Sequence, residues 1–182
     1  MMNTRNTFTV SELDLVDDAV LLAEELVTEF YKISSGLWLK NRYDIKTARQ
    51  LSKEETVDGP FAQVVGYVAK RKAALLESSA FNYYTVCLQD RAILAFLGKN
   101  PDLAFFPFLV YVLVHELVHI VRFTTFQQIY AASGESKIVE KEEAKVHAIT
   151  QKIVTRGSVA GMERILACYR QPDQYPGFDK IF

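Results

Sequence analysis

Residues 102–126 read DLAFFPFLVYVLVHELVHIVRFTTF, and residues 115–119 within this segment spell HELVH. Apolar residues lie on nearly every side of a helix built on this sequence, which is typical of a helix at the centre of a fold. The segment is long enough to span a bilayer, but it contains His115, Glu116 and His119. Each acidic or basic side chain near the middle of a membrane span costs about 2.5–3.5 kcal/mol. We therefore predict a central buried helix from about residue 102 to 126 and no association with a membrane.

Composition and charge indicate one globular domain that spans residues 1–182. Hydrophobic residues make up 49% of the chain and charged residues 24%, an ordinary balance for a domain with a substantial core. The formal net charge of −1 lacks the basic excess of most nucleic-acid-binding proteins, so we predict no nucleic-acid partner. Residues 1–10 lack the apolar middle of a secretory signal, and Cys87 and Cys168 show no paired spacing. These features favour a cytoplasmic protein with reduced thiols.

The rest of the chain predicts an α+β fold that is mainly helical. Apolar residues at three- and four-residue steps predict a first helix with Ser11 as its N-cap. Residues 37–60 are expected to form loops with a short helix near Thr47–Lys53. Two β-like runs, Ala62–Lys70 and Asn82–Gln89, predict a small antiparallel sheet. The remaining predicted helices lie at Lys72–Glu77, Arg91–Leu97, about 139–155 and 159–170.

The spacing of HELVH predicts a zinc site on the long helix. Residues four apart lie one turn from each other on the same helix face, so His115 and His119 can ligate a single ion. Glu116 lies too far around the helix to ligate, but it can reach a water in the open position of the metal and take its proton. We therefore predict His115 and His119 as metal ligands, Glu116 as the catalytic base and one Zn²⁺ per chain.

A third protein ligand is expected from the helix predicted at about residues 139–155, because a catalytic zinc usually takes three. Helical spacing places Glu140, Glu143 and His147 on one face of that helix. The helix can lie across the HELVH helix and direct Glu143 at the ion. His147 is the alternative third ligand, or a residue that supports the ligands without touching the metal.

Residues 112–154 resemble the zincin metallopeptidases, specifically the gluzincin group, in which a second helix after HExxH bears a glutamate ligand. The residues that carry this resemblance are His115, Glu116, His119 and Glu143. The resemblance implies a zincin-like fold, zinc-dependent hydrolysis of a peptide or protein, and Glu143 as the third ligand. Many gluzincins have an aspartate four residues after this glutamate, where the present chain has His147.

Two other kinds of metalloprotein share parts of this pattern. A di-iron carboxylate protein needs two ExxH elements and two further glutamates. Glu116 and His119 form one such element, but Glu143 and His147 are one residue too far apart to form the second. A non-catalytic zincin-like protein that binds metal or regulates a partner is the main alternative to an enzyme. Glu116 argues against it, because a structural metal site needs no base beside its ligands.

Substrate binding and transition-state stabilisation need groups outside the motif. In zincins the substrate commonly adds as a strand to a sheet edge beside the metal, and either β-like run can supply that edge. All three histidines of the chain lie in the region of the motif, so an oxyanion must be stabilised by another group. Tyr130 and Arg122 are the candidates for that role.

Overall fold

The computed structural model describes residues 6–34, 36, 38, 42–70, 80–125, 136–171, 173–176 and 178. These residues form five helices and a small sheet, so the described chain is α+β, as predicted. In chain order the elements are α1 (Val10–Tyr31), β1 (Arg42–Lys46), β2 (Ala62–Lys70), β3 (Ala80–Leu88), α2 (Asp90–Lys99), α3 (Phe105–Thr125), α4 (Ser136–Arg156) and α5 (Met162–Arg170). The helix predicted at Lys72–Glu77 lies outside the described residues.

Helix α3 is the central element, and its prediction as a buried helix is confirmed. It packs against α1, α4, α5 and strand β2. Every side chain from Phe108 to Val118 is buried. Pro107 is the third residue of the helix, where its missing N–H breaks no hydrogen bond within the helix. The segment Phe105–Thr124 has the length and apolarity of a membrane span, but 78% of its most apolar 18-residue window is buried inside the fold, as in the core helix of a globular domain.

Helix α1 begins with a capping box, and the cap is Thr9 rather than the predicted Ser11. The backbone N–H of Glu12 donates to the Thr9 hydroxyl at 3.3 Å, and the backbone N–H of Thr9 donates to the Glu12 carboxylate at 2.7 Å. This reciprocal pair needs a glutamate three residues after the cap, and only a cap at Thr9 meets that requirement here. Lys32, in the left-handed conformation, then ends the helix.

The sheet has the strand order β1-β3-β2, and its prediction as purely antiparallel is wrong in one respect. Strands β2 and β3 pair antiparallel, with Ala62 opposite Leu88, as the two β-like runs predicted. Strand β1 adds to the other side of β3 in parallel orientation, so the sheet is mixed. The five residues of β1 lie in the segment that was expected to form loops. A strand this short has too few positions for an alternating apolar and polar pattern to be recognised.

The remaining helices follow their predicted positions with shifted ends. Helix α2 confirms the pattern seen at Arg91–Leu97, and α4 begins at residue 136 rather than about 139. Helix α5 begins at Met162 rather than 159, because Gly161 takes a left-handed conformation with φ of 83°. The predicted helix near Thr47–Lys53 is instead a turn, in which the backbone N–H of Gln50 donates to the carbonyl of Thr47.

Candidate metal centre

Helices α3 and α4 bring three potential metal ligands together. His119 Nε2 lies 3.1 Å from His115 Nε2 and 3.0 Å from Glu143 Oε1, and His115 Nε2 lies 3.7 Å from Glu143 Oε2. A tetrahedral zinc with bonds of about 2.0–2.1 Å separates neighbouring ligand atoms by about 3.3–3.4 Å. The three observed distances bracket that value. The two imidazoles and the carboxylate, with one ligand atom from each within 4.8 Å of the others, could therefore hold a metal ion.

The two helices create this cluster because each contributes a different part of it. The four-residue spacing within α3 places both histidine rings on one face, 4.8 Å apart between ring centroids. Helix α4 packs against α3 and carries Glu143 to the same point. An ion pair between Arg122 of α3 and Glu142 of α4 joins the helices beside the cluster. Arg122 is thus engaged in helix packing, while Tyr130, the other candidate for stabilising an oxyanion, lies outside the described residues.

Glu116 lies beside the cluster without being one of its converging groups. It is buried and lines the same cleft as the three ligand residues, although its carboxylate is not one of the converging atoms. Burial raises the pKa of Glu116 to about 7, against the opposing effect of nearby His119. A carboxyl group with such a pKa, at the edge of a cleft, has the character of a group that exchanges protons near neutral pH.

Two of the three groups in the cluster, His115 and Glu143, are held in the protonation states that bind a divalent metal. Burial lowers the pKa of His115 to about 3. Burial acts in the same direction on His119, but the hydrogen bond with Glu143 and the neighbouring carboxylates outweigh it and raise the pKa. For Glu143, burial favours the neutral acid, but the two histidines outweigh it and hold the pKa well below its usual range. Near neutral pH His115 therefore offers a neutral imidazole and Glu143 an ionised carboxylate, the forms that bind metal, whereas the raised pKa of His119 means that a metal must displace a proton from this ring.

His147 lies behind the cluster rather than within it. Its ring centroid is 4.6 Å from that of His115 and 5.1 Å from that of Tyr169, and its Nδ1 lies 3.4 Å from the Tyr111 hydroxyl. The set of converging ligand atoms contains Glu143 and omits His147. Of the two alternatives for the third ligand, the fold brings Glu143 to the histidines and places His147 against the back of His115. Glu140, on the same helix, is exposed.

Phe123 is a residue of the site that the sequence analysis missed. Its ring stacks on the His119 ring at 5.5 Å and lines the cleft together with residues of the first half of β2. The spacing of four residues between His119 and Phe123 on one helix was a visible signal. This spacing alone did not indicate a site residue, because an aromatic residue at helical spacing is usually part of a hydrophobic core.

The described residues contain one convergent group of three or more potential metal ligands. It holds a single carboxylate, that of Glu143. A di-iron site would need four glutamates and two histidines from facing helices. The described part of the chain therefore supplies one ion with ligands and offers no second set.

Comparisons with known proteins do not identify this arrangement of residues. No family model matches the chain, and no curated protein and no solved structure matches it. The geometry of the cleft is accordingly the basis on which a function can be argued.

Proposed function

We propose that this protein is a zinc-dependent hydrolase, specifically a metallopeptidase, with Glu116 as the catalytic base. The observation that carries the proposal is the convergence of His115 Nε2, His119 Nε2 and the Glu143 carboxylate in a cleft that Glu116 also lines. Three protein ligands of this kind are the usual set for a catalytic zinc, which keeps its fourth position open. One zinc per chain is the expected content.

The chain supplies the proton transfers that hydrolysis of an amide requires. A zinc ion held by this cluster supplies Lewis acidity, which polarises a carbonyl oxygen and makes a water more acidic. Glu116, at the edge of the cleft, accepts the proton of the attacking water on its carboxylate. The same carboxyl group then donates that proton to the leaving amine nitrogen, so Glu116 returns to its ionised form at the end of the reaction.

The position of β2 supports a peptide as the substrate. Among the described residues β2 pairs with β3 alone, and Ala62 to Val64 at its start line the cleft. We infer that an extended chain adds to the other edge of β2 through main-chain hydrogen bonds, next to the β2 residues that line the cleft. A peptide or protein held in this way presents its backbone carbonyl to the site.

Metal analysis is the first test of the proposal. Wild-type protein and a His115→Ala/His119→Ala double variant are purified and analysed for bound metal before and after loading with zinc. We expect about one zinc per wild-type chain and none in the double variant. Two irons per chain would replace the proposal with a di-iron protein, and no metal in the wild type would overturn it.

The role of Glu116 is tested separately, in Glu116→Gln. Because glutamine cannot accept the proton, we expect this variant to keep its zinc and to lose hydrolysis of a peptide library by at least about 100-fold. The matched control is Glu140→Gln, which makes the same change at an exposed position of α4 and should preserve both properties. If Glu116→Gln hydrolyses peptides at the wild-type rate, Glu116 is not the base. Zinc binding without hydrolysis in the wild type would favour the non-catalytic alternative.

A further inference from the structure

The cleft beside the ligand cluster has mainly apolar walls. It has a volume of about 250 Å³, enough to take part of a substrate side chain. Besides Glu116 and the three ligand residues, its lining consists of Pro60, Ala62, Gln63, Val64 and Phe123. No lysine or arginine occurs among these described lining residues. The charged groups of the cleft are thus those of the metal cluster and of the base.

Phe123 packs against two other rings in this wall. It lies one turn beyond His119 on α3, and its ring stacks on the His119 imidazole with an angle of 28° between the planes. The Phe123 ring also stacks on Tyr84 of β3 at 6.4 Å. These contacts place an apolar side chain in the cleft, one helical turn from a proposed metal ligand.

We propose that this site selects an uncharged, apolar side chain next to the scissile bond, with Phe123 and Val64 as the specificity-determining wall. The inference rests on the proposed metallopeptidase function and adds the substrate class to it. An apolar group gains free energy by leaving water for such a wall. A charged group would lose its hydration there, and no cation among the described lining residues compensates a carboxylate.

The same wall bears on where in a peptide the bond lies. A site that removes the last residue of a chain needs a partner for the terminal carboxylate, usually an arginine or lysine. The described lining residues include no such partner. This composition argues against removal of the last residue of a chain.

The test uses the zinc-loaded full chain and three peptide hydroxamates that differ only in the side chain beside the zinc-binding group. The three side chains are those of phenylalanine, glycine and aspartate, and their dissociation constants are measured by calorimetry. We expect the phenylalanine probe to bind at least about tenfold more tightly than the glycine probe. The aspartate probe should bind more weakly than the glycine probe. Zinc content is measured in every sample, so that loss of metal is distinguished from loss of selectivity.

Two substitutions at Phe123 test whether this residue causes the tighter binding of the phenylalanine probe. Phe123→Ala should remove most of the advantage of the phenylalanine probe, and Phe123→Leu, which keeps an apolar wall and is a milder change to the fold, should retain part of it. The matched control is Phe105→Ala, at the start of the same helix, where the ring packs against Phe8. This control should preserve the wild-type ratio of the two dissociation constants.

Each outcome of the test decides between named alternatives. Equal binding of the three probes by zinc-loaded protein overturns the apolar selectivity and leaves the metallopeptidase proposal standing. A preference that survives in both Phe123 variants overturns the role of Phe123. Absence of zinc from the wild type overturns the proposed function, and the inference that rests on it falls as well.

Discussion

At the scale of single residues, His147 packs behind the candidate metal cluster without joining it. It lies behind His115 with its ring centroid 4.6 Å away, and the Tyr111 hydroxyl lies 3.4 Å from its Nδ1. A ligand that is held by packing loses less freedom when metal binds. Residues that orient metal ligands in this way typically contribute 10- to 100-fold to affinity, as an order of magnitude.

We predict that His147→Ala weakens zinc binding by about 10- to 100-fold while the protein stays folded. The reason is that the His115 ring loses the surface that fixes its orientation. Competition with a coloured chelator measures the dissociation constant. The control is Val146→Ala, the neighbouring position of α4, where the side chain is also buried. If both variants lose the same zinc affinity, general destabilisation and not the contact with His115 explains the result.

At the scale of elements, one carboxylate joins strands β1 and β2 to the loop that connects them. Glu55 accepts a hydrogen bond from Lys46 Nζ of β1 at 2.6 Å and one from Tyr67 Oη of β2 at 3.3 Å. Its other oxygen accepts from the backbone N–H of Ser52 at 2.8 Å. Glu55 therefore links both outer strands of the sheet to the loop between them.

This linkage predicts a dependence of stability on acid pH. Hydrogen bonds from the Lys46 side chain and the Ser52 backbone lower the pKa of Glu55 to about 2 in the folded protein. The pKa of a glutamate in an unfolded chain is about 4.3. A lowered pKa in the folded state stabilises the protein above the unfolded value, and this contribution disappears as the pH falls towards the folded value. Between about pH 4.5 and pH 2, wild-type protein should therefore lose more stability than Glu55→Gln. Urea unfolding at a series of pH values measures both, and parallel curves would contradict the prediction.

At the scale of the whole molecule, the hydrophobic core and the candidate metal cluster share helix α3. We expect the core to form without a metal, whereas the cluster needs the packed core to bring its residues together. Helix α3 buries its side chains against α1, α4, α5 and β2 through apolar contacts. Only one face of its second half carries His115 and His119, the proposed metal ligands. The hydrophobic contacts of the remaining faces form whether or not a metal is bound.

We predict that removal of zinc lowers the thermal unfolding temperature but leaves a folded protein. A ligand that binds only the folded state at 100 times its dissociation constant stabilises that state by about 2.7 kcal/mol. Thermal melting followed by circular dichroism, with zinc and with chelator, measures the shift. The His115→Ala/His119→Ala variant should show no zinc-dependent shift. Loss of helical signal on chelation at room temperature would show instead that the metal holds the fold together.

Local spacing in the sequence was sufficient to predict the central helix and the part of the candidate site that lies on it. The apolar pattern of α3 predicts its burial, and the four-residue step from His115 to His119 places two imidazoles on one face in any helix. The same local logic predicts Glu116 as a neighbour that does not ligate. The paired strands β2 and β3 were also visible, because each is nine residues long and bounded by turn residues or by a change of pattern.

Only the tertiary structure decided which residues meet from different elements. Three residues of α4 shared the face that was expected to meet α3, and the way the helices pack places Glu143 at the histidines and His147 behind His115. The parallel pairing of β1 and the wall formed by Phe123 likewise depend on how elements pack. Helical or strand periodicity is a property of neighbours along the chain, whereas these contacts join residues far apart in sequence, and the relative placement of the elements determines them.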